Sequence, residues 1–183
     1  DSLLFQGTYS LSSSSDPSTL TVPLTLQLFS KHTPKLFIGS IHAAFNLEKL
    51  KELGITHILN ASGLPATFPR VFTYLSVDLR DKSHAHILGC IPATNIFIES
   101  GLEEGGGVLV HCAGGRSRSA AFIMAFLMSA HRLGFDDAER ECKEARAVVD
   151  VNQGFQLQLQ AYATAACDVH NAHQILLHKA EVA

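Results

Sequence analysis

The chain has 183 residues, 46% of them hydrophobic and 17% charged, with a formal net charge of −3. That composition supports one substantial core, while the mild negative charge gives no bulk attraction to nucleic acid or to an anionic membrane. No apolar run approaches the roughly 20 residues a bilayer crossing needs, so neither a nucleic-acid partner nor membrane insertion is expected.

Residues 1–23 are Ser/Thr-rich, with Ser12-Ser13-Ser14-Ser15-Asp16-Pro17, and read as a flexible tail. The first residue is Asp and not Met, which leaves a processed or trimmed start open, and Leu4-Phe5-Gln6-Gly7 resembles the tail of a protease-cleavage tag. A domain then runs over 24–165, followed by a helical extension over 166–183. Lys35-Leu36-Phe37-Ile38-Gly39 reads as a short strand ended by Gly. Asn46 stands where an N-cap belongs, before a helix over 47–53 with Leu47, Leu50 and Leu53 on one face and Gly54 after it. A second strand covers 55–60 and a loop 61–69. Alternation over 71–77 predicts a third strand that runs into the polar loop Asp78-Leu79-Arg80-Asp81-Lys82. Residues 87–104 are mostly helical, with Pro92 near the start and Gly105-Gly106-Gly107 ending the helix.

Val108-Leu109-Val110 is an apolar run suited to a buried parallel strand. It leads into His111-Cys112-Ala113-Gly114-Gly115-Arg116-Ser117-Arg118-Ser119 and then into an apolar helical run over 120–128. A strand, a Gly-containing loop and a helix N-terminus make an anion site, because backbone N–H groups and the helix dipole converge there. Such a site lowers the pKa of a cysteine, so Cys112 is expected to be a thiolate nucleophile. Arg118 offers a planar fork for two phosphate oxygens. Ala113, Gly114, Gly115, Arg116 and Ser117 form the loop that binds phosphate, and Ser119 can hydrogen-bond the sulfur. His111 braces the loop, since a thiolate needs no base. Beyond it, Gly134 breaks the chain, a helix runs to about 147, and Asn152-Gln153-Gly154-Phe155 opens a last long helix ending near His178. The alternation of strands and helices predicts an α/β fold: a central, mainly parallel twisted sheet of four to five strands flanked by helices. The loop lies at a strand's C-terminal end, where such sheets bind ligands.

His-Cys, five residues, Arg and Ser resembles the signature of the Cys-based protein tyrosine phosphatase superfamily, specifically its small dual-specificity phosphatases. The resemblance covers about residues 24–165 and includes Leu36-Phe37-Ile38-Gly39-Ser40, Gly54-Ile55-Thr56-His57-Ile58-Leu59-Asn60 and Asn152-Gln153-Gly154-Phe155. It implies a protein-tyrosine-phosphatase-like fold and hydrolysis of phosphotyrosine and phosphoserine/threonine through a phosphocysteine on Cys112. It also implies a general acid, an Asp about seven residues past an aromatic-aliphatic pair; Asp81 has that spacing from Tyr74-Leu75, with Asp78 as the competitor. Two departures stand out. Gly114-Gly115 replaces the usual Ala-Gly, and Asp150 stands where the family usually has Pro.

A phosphorylated protein is the expected partner, with no cofactor and no metal; the oligomeric state is not readable. Arg116 keeps a lipid or inositol phosphate substrate open as the alternative, since a second cation suits a second phosphate and Cys-x-x-Gly-Arg-Ser-Arg-Ser also looks like the loop of phosphatidylglycerophosphate phosphatases. A non-catalytic phosphate-binding module is the alternative of another class. The four cysteines, Cys90, Cys112, Cys142 and Cys167, match no zinc spacing, and an ionised Cys112 calls for a reducing compartment, cytoplasmic or nuclear. His84, His86, His170, His173 and His178 lack supporting carboxylates or thiols at metal-ligand spacing, and Phe155 and Tyr162 read as core.

Overall fold

A computed structural model describes residues 27–28, 33 and 35–182 of the chain. The predicted tail over 1–23 and the domain start near 24 lie outside the described residues. Five strands form one sheet: β1 (Gln27–Leu28), β2 (Leu36–Gly39), β3 (Ile55–Asn60), β4 (Thr73–Ser76) and β5 (Gly107–His111). Their order is β1-β2-β5-β3-β4, antiparallel between β1 and β2 and parallel elsewhere. The expected α/β architecture with a mainly parallel central sheet is the observed one.

Helices cover both faces. On one side lie α1 (Ile41–Ala44) and α2 (Leu47–Glu52); on the other, α3 (Ile91–Glu103), α4 (Arg118–His131), α5 (Phe135–Ala145) and α6 (Gln153–Thr164), with α7 (Val169–Val182) against α6. The strand alternation explains the two faces. Val108 and Val110 belong to the large cluster around α4, whereas Leu109 packs with Phe37, Leu50, Ile58 and Phe72 beneath α2. α4 is buried along residues 119–128, which is why its sequence is apolar all round. α2 starts as read, with Asn46 accepting a hydrogen bond from the Lys49 N–H at 3.0 Å.

Three readings are corrected. The third strand is shorter than 71–77, because only Thr73–Ser76 pairs with β3. The helix over 87–104 starts as a 3₁₀ turn, Leu88–Cys90, before α3. The last long helix is two helices: Ala166 and Cys167 take left-handed φ of 50° and 64°, the Cys167 N–H donates to the Tyr162 carbonyl, and Asp168 caps α7 through the Asn171 N–H at 2.7 Å. Ala and Cys are not the residues that advertise a left-handed turn, so the apolar pattern read straight through it.

Parallel registry places the site. Gly39, His111 and Asn60 are aligned across β2, β5 and β3, and Ser76 lies beside Asn60. Four neighbouring strands therefore end on one edge, and their loops meet there.

Candidate active site

The loop after β5 curls because the carbonyls of residues 113–116 are fastened to groups outside it. The Ala113 carbonyl accepts from the Ile41 N–H at 3.1 Å and the Arg116 carbonyl from the Asp150 N–H at 3.0 Å. The Gly114 and Gly115 carbonyls accept from Arg146, at 3.4 Å from Nη2 and 2.9 Å from Nε. With these carbonyls held outside, the loop turns its N–H groups inward, and the Gly115 N–H reaches the Cys112 Sγ at 3.2 Å. Gly115 has φ +67°, and a Cβ there would lie 2.7 Å from the Gly39 carbonyl oxygen. Gly114 is different: a Cβ would meet only the Arg116 side chain at 3.7 Å. The departure from Ala-Gly is thus harmless, because only the second glycine is required.

Cys112 is almost wholly buried at the end of β5, before the N-terminus of α4. Burial alone would push its thiol pKa up. The Ser119 hydroxyl, 3.4 Å from Sγ, and the backbone N–H groups of Ser119, Arg116 and Gly115 outweigh burial and hold the pKa below the ordinary value. The other three cysteines go the opposite way: burial pushes Cys90, Cys142 and Cys167 up. Of four free thiols, one is prepared to be a nucleophile. His111 is buried in β5; burial pushes its pKa down to about 4, with a backbone interaction at Cys112 pulling the other way, so the ring is neutral. Its Nδ1 has no hydrogen-bond partner among the described residues.

Arg118 and Arg116 diverge although one residue separates them. The Arg118 side chain is 12% exposed, its Nη1 donates to the Ser62 and Leu79 carbonyls at 3.3 Å each, and its Nε stands 3.7 Å from Asp81 Oδ2. That Nε is a buried donor without a hydrogen bond among the described residues, a state that suits an anion. Arg116 is instead 59% exposed and pairs through Nη2 with Asp150 Oδ2 at 3.0 Å. Its side chain is thus engaged at the rim, while its backbone N–H lies in the loop beside Cys112. Ser117 is also tied by its side chain. Its hydroxyl donates to Asp81 Oδ1 at 2.6 Å and accepts from the Asn152 N–H at 3.1 Å, so only its backbone N–H is left for a phosphate.

Asp81 faces this loop across a cleft of about 370 Å³ lined by Asp81, Ala113, Gly114, Arg116, Ser117, Arg118, Asp150 and Asn152. Besides the Ser117 hydroxyl, Asp81 Oδ1 accepts from Asn152 Nδ2 at 2.7 Å. Asp78 is not among the lining residues. The acid loop has no regular structure, and the start of α6 holds it. A Cβ on Gly154 would overlap the Ser83 carbonyl at 1.8 Å, and Gln158 bonds the Ala85 carbonyl at 2.8 Å and the Ile87 N–H at 2.9 Å. Asn152 also caps α6 by accepting from the Phe155 N–H at 3.0 Å, so one side chain joins the helix start, Ser117 and the acid.

Sequence reasoning missed Arg146 as a loop brace and treated Asn152 only as a landmark. Arg146 is buried at the C-terminal cap of α5; burial lowers its pKa, and the Cys112 charge pulls it back up. Its only sequence signal was a long cation six residues before Asn152. Among the described residues, no group of three or more His, Cys, Asp and Glu is placed to hold a metal, and no helix is long and apolar enough to cross a membrane. Phe155 and Tyr162 are core residues.

The chain is similar to known proteins in sequence and in fold. Residues 36–165 match the family model described as dual specificity phosphatase, catalytic domain. The chain is 42% identical over 130 residues to dual specificity protein phosphatase 19 of Mus musculus, covering 70% of this chain and 59% of that protein. It is 40% identical over 134 residues to protein phosphatase Slingshot homolog 3 of Homo sapiens, covering 73% and 20%. The chain thus spans about a fifth to three fifths of the length of these curated relatives. The crystal structure of human tyrosine phosphatase-like serine/threonine/tyrosine-interacting protein is similar with a TM-score of 0.73 at 34% identity, covering 78% of this chain and 98% of that one. Human DUSP28 is similar with a TM-score of 0.72 at 35% identity, covering 76% and 96%.

Proposed function

Since the chain belongs to the dual specificity phosphatase family, we propose that it hydrolyses phosphotyrosine and phosphoserine/threonine monoesters of proteins through a covalent phosphocysteine. The observation that carries this reading is the selective lowering of one thiol pKa inside a loop whose carbonyls at residues 113–116 are tied to groups outside it. The Cys112 thiolate attacks phosphorus, an S–P bond forms and the P–O bond to the leaving group breaks. Arg118 and the loop N–H groups hold the three remaining phosphoryl oxygens. Asp81 donates its proton to the departing oxygen. In the second half, Asp81 takes a proton from water, the water oxygen bonds phosphorus, and the S–P bond breaks. The Ser119 hydroxyl stabilises the returning thiolate, and phosphate leaves.

Asp81 is favoured over Asp78 because Asp81 lines the cleft and stands beside Arg118. The engagement of Arg116 with Asp150 counts against the lipid or inositol phosphate alternative, which needs that cation for a second phosphate. The presence of Cys112, Arg118 and a cleft-lining Asp81 counts against a module that only binds. A low-pKa thiol works in a reducing compartment, cytoplasmic or nuclear.

The test is phosphate release, with reductant and no added metal, from a phosphotyrosine peptide, a phosphothreonine peptide and phosphatidylglycerophosphate. Release from both peptides, abolished in Cys112→Ser, is the expected result. Preference for the lipid, or undiminished release by Cys112→Ser, overturns the reading.

A further inference from the structure

Arg116 and Asp150 face each other on the rim of the cleft. Their side chains are 59% and 70% exposed and meet at 3.0 Å. An ion pair this exposed adds little to stability. The backbone beneath is held more firmly: the Asp150 N–H donates to the Arg116 carbonyl at 3.0 Å, the same carbonyl fastening that shapes the phosphate loop. Asp150 therefore stays beside Arg116 even when the side chains separate. Arg116 alone would be a forked cation next to the phosphate site, able to take a second phosphate bidentately. With the Asp150 backbone anchored there, a second phosphate has to displace its carboxylate from Arg116 while that charge stays nearby, and the like charges repel at short range.

We propose that Asp150 is a specificity residue: it makes the cleft favour substrates with one isolated phosphorylated side chain over those with a second phosphate beside the scissile one. This rests on the protein phosphatase reading above and narrows its substrate class.

The experiment compares a peptide carrying one phosphotyrosine with the same peptide carrying a second phosphate two residues away. Wild type, Asp150→Asn, Arg116→Gln and the double variant are assayed, following loss of the phosphotyrosine phosphate by mass. The readout is the ratio of kcat/KM for the doubly over the singly phosphorylated peptide within each protein, so changes common to both substrates cancel. Asp150→Asn keeps the backbone N–H and sits at an exposed position, so the fold is retained. The expected ratio is below one in wild type and rises by about tenfold in Asp150→Asn, as removal of one close charge would produce. In the Arg116→Gln background the same change has a smaller effect, about threefold or less, because no fork remains to take the second phosphate. A ratio in Asp150→Asn within about twofold of wild type overturns the proposal, as does a wild type that already prefers the doubly phosphorylated peptide. Failure of the underlying reading looks different: neither peptide is hydrolysed while p-nitrophenyl phosphate is, and the proposal falls with it.

Discussion

The phosphate loop and the acid loop line one cleft, yet they are built in opposite ways. The phosphate loop is a contiguous stretch between a buried strand and a buried helix, with the carbonyls of residues 113–116 fastened. The acid loop has no regular structure, and its partners come from far along the chain: Asn152 for Asp81, Gly154 against Ser83, Gln158 for Ala85 and Ile87. Anion binding needs a fixed curl of backbone, which the contiguous segment forms and Ile41, Arg146 and Asp150 fasten from outside. Proton donation needs a carboxylate at one place above that curl, which only a neighbouring element can hold.

The largest way to break this contrast is Gly115→Ala. A left-handed φ and a Cβ 2.7 Å from a backbone oxygen leave the loop no room to adjust, so a stability loss of at least about 2 kcal/mol and collapse of turnover are expected. Gly114→Ala, whose Cβ would make only an ordinary contact with the Arg116 side chain at 3.7 Å, stays within about 0.5 kcal/mol of wild type when both variants are compared by urea titration. Equal behaviour of the two variants contradicts the rigid-loop account.

Next in size is the acid. Asp81→Ala should slow release from phosphothreonine peptides by roughly 10²–10⁴-fold and from p-nitrophenyl phosphate far less, because a good leaving group needs no proton. If Asp78→Ala gives that pattern instead, the acid is misassigned.

His111 sharpens the comparison from the phosphate-loop side. Its folded pKa is about 4 against an ordinary 6.5, so between those values the unfolded chain binds more protons than the folded one. Stability therefore falls as pH drops through that window, by about 3 kcal/mol in all, and is unaffected by this group above it. Urea midpoints from pH 7 to 4 should fall less steeply in His111→Asn; parallel curves for the two proteins would show that His111 is not the group responsible.

The smallest effect tests the long-range tie. Asn152→Ala removes one of two hydrogen bonds to Asp81 Oδ1 and should cost about tenfold with poor leaving groups. In an Asp81→Ala background the same change should do little. Additive losses would mean that Asn152 acts through α6 and not through the acid.

Much of this protein was legible residue by residue. The β5–loop–α4 unit could be read directly because strand burial, glycine positions and the helix N-terminus are local features of the chain, and Cys112, Arg118 and Ser119 lie within it. The capped start of α2 was local in the same sense. β4 shortened because strand length is decided by pairing, and α6 parted from α7 at Ala166-Cys167, residues that carry no turn signal. Arg146, Asn152 and the Arg116–Asp150 pair belonged to the tertiary structure alone. Each links segments about 30 to 70 residues apart, and spacing along a chain says nothing about which side chains a folded sheet edge will bring face to face. The loop that carries Cys112 was thus legible in the sequence, while the groups that fasten it, contact Asp81 and pair at its rim were decided by packing.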